Sequence, residues 1–375
     1  MSSASSSRGR AGCSFSRPAG HAAESATCRA RIDKRGRGLP RCAMVSRPHF
    51  QKLVERVRRG PPLAAAVVYP CDRESLQMAL SGAFAGYLNP TLVGPESRIR
   101  DLAGKAGLDI SRLPVIDCAD DAPRAAGERA AELARSGQVA ALIKGSLSNE
   151  DLLGPVADAA SGLRTERRLS HAYFLDLPGQ PRGLLLADAH MNVTPNLAAK
   201  RDIVQNTIQL ALALGVSTPN VALLAAMDGP APAFRSTTDA VALKAMALQG
   251  LFRGAVIEGP LTPDSALSAD AALAKGIKSA VAGHVDVLIG PSMESALMVL
   301  RTMLAMGGGL AAGIVLGARI PIVAPGRHDS MEVRMASCVL ASLVLAAAAD
   351  TPPVQFEVAS GVQPADASAG ARVAA

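Results

Sequence analysis

The chain has 375 residues, of which 49% are hydrophobic, enough to bury a large core and to fill two domains. Aromatic residues make up only 3% and Trp is absent, so the core must be built from Ala, Val, Leu, Ile and Met, which suits helices packed closely on a parallel sheet. The formal net charge of +7 does not mark a nucleic-acid binder, because residues 1–47 hold ten Lys or Arg against Glu24 and Asp33 and leave the rest of the chain close to neutral.

Residues 1–45 are rich in Ser, Arg, Ala and Gly with almost no apolar periodicity, and such a segment is expected to stay disordered. Its Arg-rich, acid-poor composition also resembles an organelle transit peptide, although no amphipathic period accompanies it. Met44 opens an amphipathic segment, so a later start of translation is a second explanation. From Pro62 onward short apolar runs alternate with helical patterns. Strands are predicted over 64–69, 90–94, 113–117 and 139–144, with helices ending near Gly86, spanning 96–106, ending near Ser136 and beginning near Asn149. Residues 171–188 change character and read as two strands joined by a Pro178-Gly179 turn, an antiparallel passage into a second domain.

The alternation then resumes. Asn196 is predicted to cap a helix whose Ile203, Thr207, Leu210 and Leu214 share a face, with Gly215 ending it. Strands follow over 220–227, 254–259 and 285–290, with helices over 238–248 and 293–306. The glycines of 307–313 precede a strand where a dinucleotide fingerprint should follow one, so they read as a helix C-cap and loop. Residues 313–324 read as one buried strand, followed by a polar turn over 325–330 and a long apolar helix. Asp329 and Glu332 have the spacing of a capping box there. That helix carries Glu332 and Arg334 in its first turns, so no run reaches the roughly 18 to 20 apolar residues needed to span a bilayer. Cys13, Cys28, Cys42, Cys71, Cys118 and Cys338 show no paired spacing, so neither a disulfide framework nor a zinc site is expected and a reducing cytoplasm fits best.

Repeated strand-then-helix order implies a parallel sheet with ligands at the carboxyl ends of its strands. Four polar turns follow predicted strands, over 144–148, 188–192, 258–264 and 327–330, and are expected to gather on one edge as a cleft. In the first, Gly145 offers a close backbone approach and Ser146 and Ser148 offer hydroxyls, although either serine can equally be a helix cap. In the last, Arg327 stands near a helix start, where backbone N–H groups favour an anion.

Five blocks carry a family resemblance in order: IKGSLSNEDLL (143–153), RLSHAYFLDLP (168–178), ADAHMNVTPNL (187–197), EGPLTPDSALS (258–268) and AAGIVLGARIPIVAPGRHDSMEVRMASC (311–338). Over roughly residues 48–348 the chain resembles the phosphate acetyltransferase and phosphate butyryltransferase family, closest to its butyryltransferase-like branch. The resemblance implies an α/β, two-domain parallel-sheet fold of the isocitrate/isopropylmalate dehydrogenase type with an interdomain cleft. The expected division is a basic leader over 1–45, a first domain from 46–165 with 312–350, a second domain over 166–311, and a flexible tail over 351–375. It further implies a homodimer that takes acyl-CoA and phosphate to acyl phosphate and CoA, with no metal or redox cofactor and no nucleic-acid or membrane partner.

Arg327 matches the family's phosphate-clamping arginine and Ser330 its following serine, with Glu332 the candidate base. Lys144, Gly145, Ser146, Ser148, Asn192 and Gly326 are the expected substrate contacts. The chain departs from the family at Gly326, where a serine normally precedes the arginine, at Ser292 and Leu297 in place of an acidic and an amide residue, and at Val333 in place of a carboxylate. His328 and Asp329 are further candidate bases, and His171 and His190 can be either structural or functional. These departures keep open a non-catalytic relative that binds CoA or phosphate; a dehydrogenase on the shared fold lacks a nicotinamide fingerprint.

Overall fold

A computed structural model describes residues 47–118, 121–252 and 254–350; the expected leader over 1–45 and tail over 351–375 lie outside them. Arg47 precedes α1 (Pro48–Val57), whose first N–H groups, those of His49 and Phe50, donate to the Asp176 carboxylate. The chain then runs β1 (Leu63–Val68), α2 (Arg73–Phe84), β2 (Leu88–Gly94), α3 (Glu96–Ala106), β3 (Val115–Asp117), α4 (Pro123–Arg135), β4 (Ala141–Lys144) and α5 (Asn149–Ala157). Each boundary has a local cause. Asp72 accepts from the Ser75 N–H to start α2, Gly107 at φ +66° ends α3, and Pro123 stands in the first turn of α4.

The predicted hairpin forms as β5 (Ser170–Asp176) and β6 (Leu184–Ala187), paired antiparallel. Next come α6 (Leu197–Ala213), capped by Asn196 as expected, β7 (Asn220–Leu224), α7 (Arg235–Leu248), β8 (Val256–Leu261), the short helices α8 (Pro263–Leu267) and α9 (Ala269–Ala274), β9 (Val287–Ile289) and α10 (Met293–Gly307). The apolar run read as one strand over 313–324 is two: β10 (Leu310–Leu316) turns at Gly317, φ +94°, and returns antiparallel as β11 (Ile322–Val323). Only a residue tolerant of left-handed backbone reverses a chain there, and the apolar run on both sides hides the turn. Helix α11 (Met331–Asp350) closes the described chain.

The described strands form one eleven-stranded sheet, ordered β3-β2-β1-β4-β11-β10-β5-β6-β9-β7-β8. Strands β1 to β4 and β11 run one way. The antiparallel pairings at β11-β10, β10-β5 and β5-β6 send β6, β9, β7 and β8 the other way. This corrects the expectation of one shared edge: the turns after β4 and β11 lie at one end of the sheet, whereas those after β6 and β8 lie at the other.

One sheet face packs on α1, α2, α6 and α11, with Ala65, Val67, Ile314 and Phe174 of the strands and Leu340 and Leu343 of α11 in one apolar cluster. Fully burying each such leucine stabilises by about 1.5–3 kcal/mol. Residues Met331–Ala349 are long and apolar enough to cross a membrane by length and composition, which corrects the count from sequence; here the helix lies on β10 and β11. The opposite face carries two separate apolar clusters. One joins Val68, Leu142, Ile322 and Val315 to α4 and α5, and the other joins Leu175, Leu186 and Ala311 to α8 and α10. They part on β10 between Ala311 and Val315, at Gly313.

Candidate active site

The loop between β11 and α11 is built from its own backbone. Asp329 accepts from the Gly326 N–H at 2.8 Å, and Ser330 accepts from the Val333 N–H at 3.3 Å as the cap of α11. The capping box expected from Asp329 and Glu332 therefore does not form, because Asp329 closes the loop behind it and Ser330 takes the cap. Glu332 is half-buried, with no side-chain hydrogen bond or ion pair among the described residues.

Arg334 holds this loop from beneath. It is 5% exposed, and its guanidinium donates to the carbonyls of Asp329 at 3.1 Å, Gly326 at 3.1 Å and Arg327 at 3.4 Å. Sequence reasoning counted Arg334 only as a charge in the first turns of the helix. A signal was there, since a cation in the first turn opposes the helix dipole and needs another reason to be in that place.

Arg327 is exposed and its side chain makes no ion pair among the described residues. Lys144, at the carboxyl end of β4, is half-buried. Burial first, then the Arg327 and Arg334 charges, lower its pKa, and Asp329 opposes them. The structure thus brings Lys144, Arg327 and Arg334 together at one strand edge with Asp329 as the countercharge. Three neighbouring cations, none of them in an ion pair among the described residues, make a place that can hold an anion.

The remaining predicted contacts divide. Gly145 is required by packing: a Cβ there would lie 2.5 Å from the Val68 carbonyl oxygen. Its N–H and that of Ser146 bond to the Val68 and Tyr69 carbonyls, so they do not face a ligand. Ser148 is the cap of α5, accepting from the Asp151 N–H at 3.0 Å. The Ser146 side chain is exposed beside Lys144. Asn192 lies in the turn after β6, where its amide donates to the Leu169 carbonyl and to Asp188. Gly326 gives its N–H to Asp329 and its carbonyl to Arg334.

Departures from the family pattern also have structural places. Ser292 caps α10, while Leu297 and Val333 pack half-buried against the two flanking apolar cores. His328 is exposed. Where the clusters part on the sheet face, His171, Tyr173 and His190 form a ring cluster with centroids 4.5 to 5.9 Å apart. Burial and the adjacent His190 lower the His171 pKa to about 3, so its imidazole is neutral. Asp188 beneath is buried and accepts three backbone N–H groups and the Asn192 amide. Among the described residues no group of three His, Cys, Asp or Glu is placed to hold a metal ion.

A family model described as phosphate acetyl/butaryl transferase matches residues 115–342. A phosphate acetyltransferase of Rhizobium meliloti is 42% identical over 297 residues, covering 79% of this chain and 93% of that protein. A phosphate butyryltransferase of Clostridium beijerinckii is 32% identical over 298 residues, covering 80% of this chain and 98% of that protein. Among solved structures, a phosphotransacetylase from Streptococcus pyogenes aligns with a TM-score of 0.69 at 19% identity, covering 79% of this chain and 98% of that one. That last likeness is one of fold.

Proposed function

The chain belongs to the phosphate acetyl/butyryl transferase family and is a phosphate acyltransferase, and on that footing we propose that it moves a short-chain acyl group between CoA and inorganic phosphate by direct attack in a ternary complex. Arg327 and Ser330 hold the phosphate, with Lys144 facing them. The observation that carries this reading is the cation cluster at the ends of β4 and β11, where Arg327 and Arg334 stand close enough to lower the Lys144 pKa. Arginine suits the place because its fork can grip two phosphoryl oxygens at once.

Phosphate bound there attacks the thioester carbonyl directly, a reading supported by the lack of a nucleophile paired with a base among the described residues. Glu332 remains the candidate base, half-buried in the first turn of α11. The finer fold assignment, to the two-domain dehydrogenase-like type with a central cleft, draws support from the two separate clusters on one sheet face. The division into 46–165 with 312–350 and 166–311 follows the same line. A homodimer draws support from α10, where Met298 and Met306 are 69% and 85% exposed. A cytoplasmic setting and the absence of a cofactor belong to the same reading.

Phosphate-dependent CoA release from acetyl-, propionyl- and butyryl-CoA tests the proposal. Wild-type protein turns over at least one of them, and Arg327→Ala lowers kcat/KM by about 100-fold. No acyl phosphate from any of the three, or an Arg327→Ala variant with unchanged activity, would contradict it. Gly326 favours one second reading, a relative that binds CoA without turnover, which calorimetry on the inactive protein would reveal.

A further inference from the structure

A cavity of about 470 Å³ opens on the sheet face that carries α1 and α6, and none of its lining residues belongs to the anion loop. That volume is in the range of small-ligand pockets. Its floor is apolar, made by Leu53, Phe174 and Leu185, all of them part of the large core on that face. Its rim is basic. His49, Lys52 and Arg56 follow one another at helical spacing along a single face of α1, and Arg182, just before β6, lines the same cavity.

Two of these side chains hold α1 in place. Arg56 donates to the Ala213 and Leu214 carbonyls at the end of α6, at 2.9 and 2.6 Å, and a Cβ on Gly215 would lie 3.2 Å from its guanidinium. His49 Nε2 donates to the Gln180 carbonyl at 3.0 Å. Between these two fixed points Lys52 is exposed, with no ion pair or hydrogen bond among the described residues. The one carboxylate lining the cavity is already occupied: Asp286 accepts from Arg182 at 3.0 Å and from the Asn220 N–H at 2.9 Å. Asp176, close by, accepts from the His49 and Phe50 N–H groups and does not line the cavity. Arg182 keeps 45% of its side chain exposed, so part of its fork remains open to a ligand. Three permanent cations against one carboxylate leave a net of two positive charges above an apolar floor.

We propose that this cavity is a binding site for a phosphate monoester with an apolar body, distinct from the anion loop at the ends of β4 and β11. Such a phosphate carries close to two negative charges at neutral pH, which matches the rim. Lys52 meets it as a point charge and Arg182 with the free side of its guanidinium, while the apolar body covers Leu53, Phe174 and Leu185. A carboxylate would leave one rim charge unmatched, and inorganic phosphate would leave the floor uncovered. A ligand held by Lys52 and Arg182 together ties α1 to the β5-β6 hairpin, so binding also raises the thermal midpoint.

Calorimetry with n-hexyl phosphate, adenosine 5′-monophosphate and inorganic phosphate tests this on the full chain and on its Lys52→Glu, Lys52→Ala and Arg327→Ala variants. Lys52 is exposed, so both of its variants keep the thermal midpoint of the unliganded protein. In Arg327→Ala, where the anion loop is disabled, at least one ester is expected to bind about ten-fold or more tightly than inorganic phosphate. Lys52→Glu weakens that ester about ten-fold or more and Lys52→Ala weakens it less, whereas Arg327→Ala holds its Kd within about two-fold of wild type. The tighter of the two esters tells an alkyl body from a nucleoside. Neither ester binding, an ester no tighter than inorganic phosphate, or an affinity lost in Arg327→Ala and kept in Lys52→Glu overturns the inference. None of these outcomes bears on the transferase reading, which is decided by turnover.

Discussion

Gly326 gives up a hydroxyl in the place where the family carries one, and the local geometry shows what restoring it would meet. A Cβ there would lie 3.3 Å from Asp329 Oδ1, tight but not blocked, and the backbone is not left-handed. Gly326→Ser is therefore expected to fold with stability within about 0.5 kcal/mol of the parent. The new side chain would stand beside Asp329, where its hydroxyl is available to assist the thiol. Its kcat in the phosphate-dependent assay is expected to rise about five-fold or more; no rise would mean that another group already serves that step. Ser148 shows the opposite outcome at this scale, because its hydroxyl is fully used in starting α5. A sequence cannot separate a cap from a ligand when both want a serine before a helix.

Helix α11 does two separate tasks. Its middle turns bury Cys338, Leu340 and Leu343 against the sheet, and its first turn holds the anion loop through Arg334. Replacing Arg334 by methionine keeps much of the volume but frees three carbonyls that now share one guanidinium. Arg334→Met is expected to cost about 2–3 kcal/mol in unfolding free energy and to raise KM for phosphate about ten-fold, read from denaturant titration and initial rates. A loop that keeps its phosphate affinity without Arg334 would show that Asp329 alone suffices. Elements bounded by strong local signals were legible: α3, the start of α5 and the hairpin of β5 and β6 lie where caps, glycines and the Pro178-Gly179 turn put them. The break between β10 and β11 was not, because Gly317 is a single glycine inside an apolar run and its positive φ is visible only in space.

Across the whole molecule the buried titratable groups set the pH limits of stability. The ordinary imidazole value is 6.5, and His171 is held near 3 in the fold. Its neutral form is therefore accommodated above pH 6.5, and stability falls as acid protonates the unfolded chain first. The loss between pH 7 and pH 4 amounts to about 3 kcal/mol. Tyr173 and Cys338, both raised to about 12, work in the other direction. Their contribution is intact below pH 9 and is lost as the unfolded chain ionises above it. Urea unfolding across pH 4 to 8 should show the acid limb in wild type and a flatter limb in His171→Gln; equal slopes would exclude His171 as its source.

The sequence alone determined the alternation of strands and helices, the apolar faces, the helix ends and the five blocks that identify the family, because those depend on residues near one another along the chain. It also offered Arg327 and Lys144 as candidates, since a cation after a buried strand is a local pattern. Only the tertiary structure decided that β10 and β5 reverse the sheet at its centre, that Asn192 turns at the opposite end from Arg327, and that Arg334 holds the loop of Gly326 and Asp329 from beneath. Those facts depend on strand order and register, which are fixed by packing between segments more than a hundred residues apart and leave no periodic trace in either one.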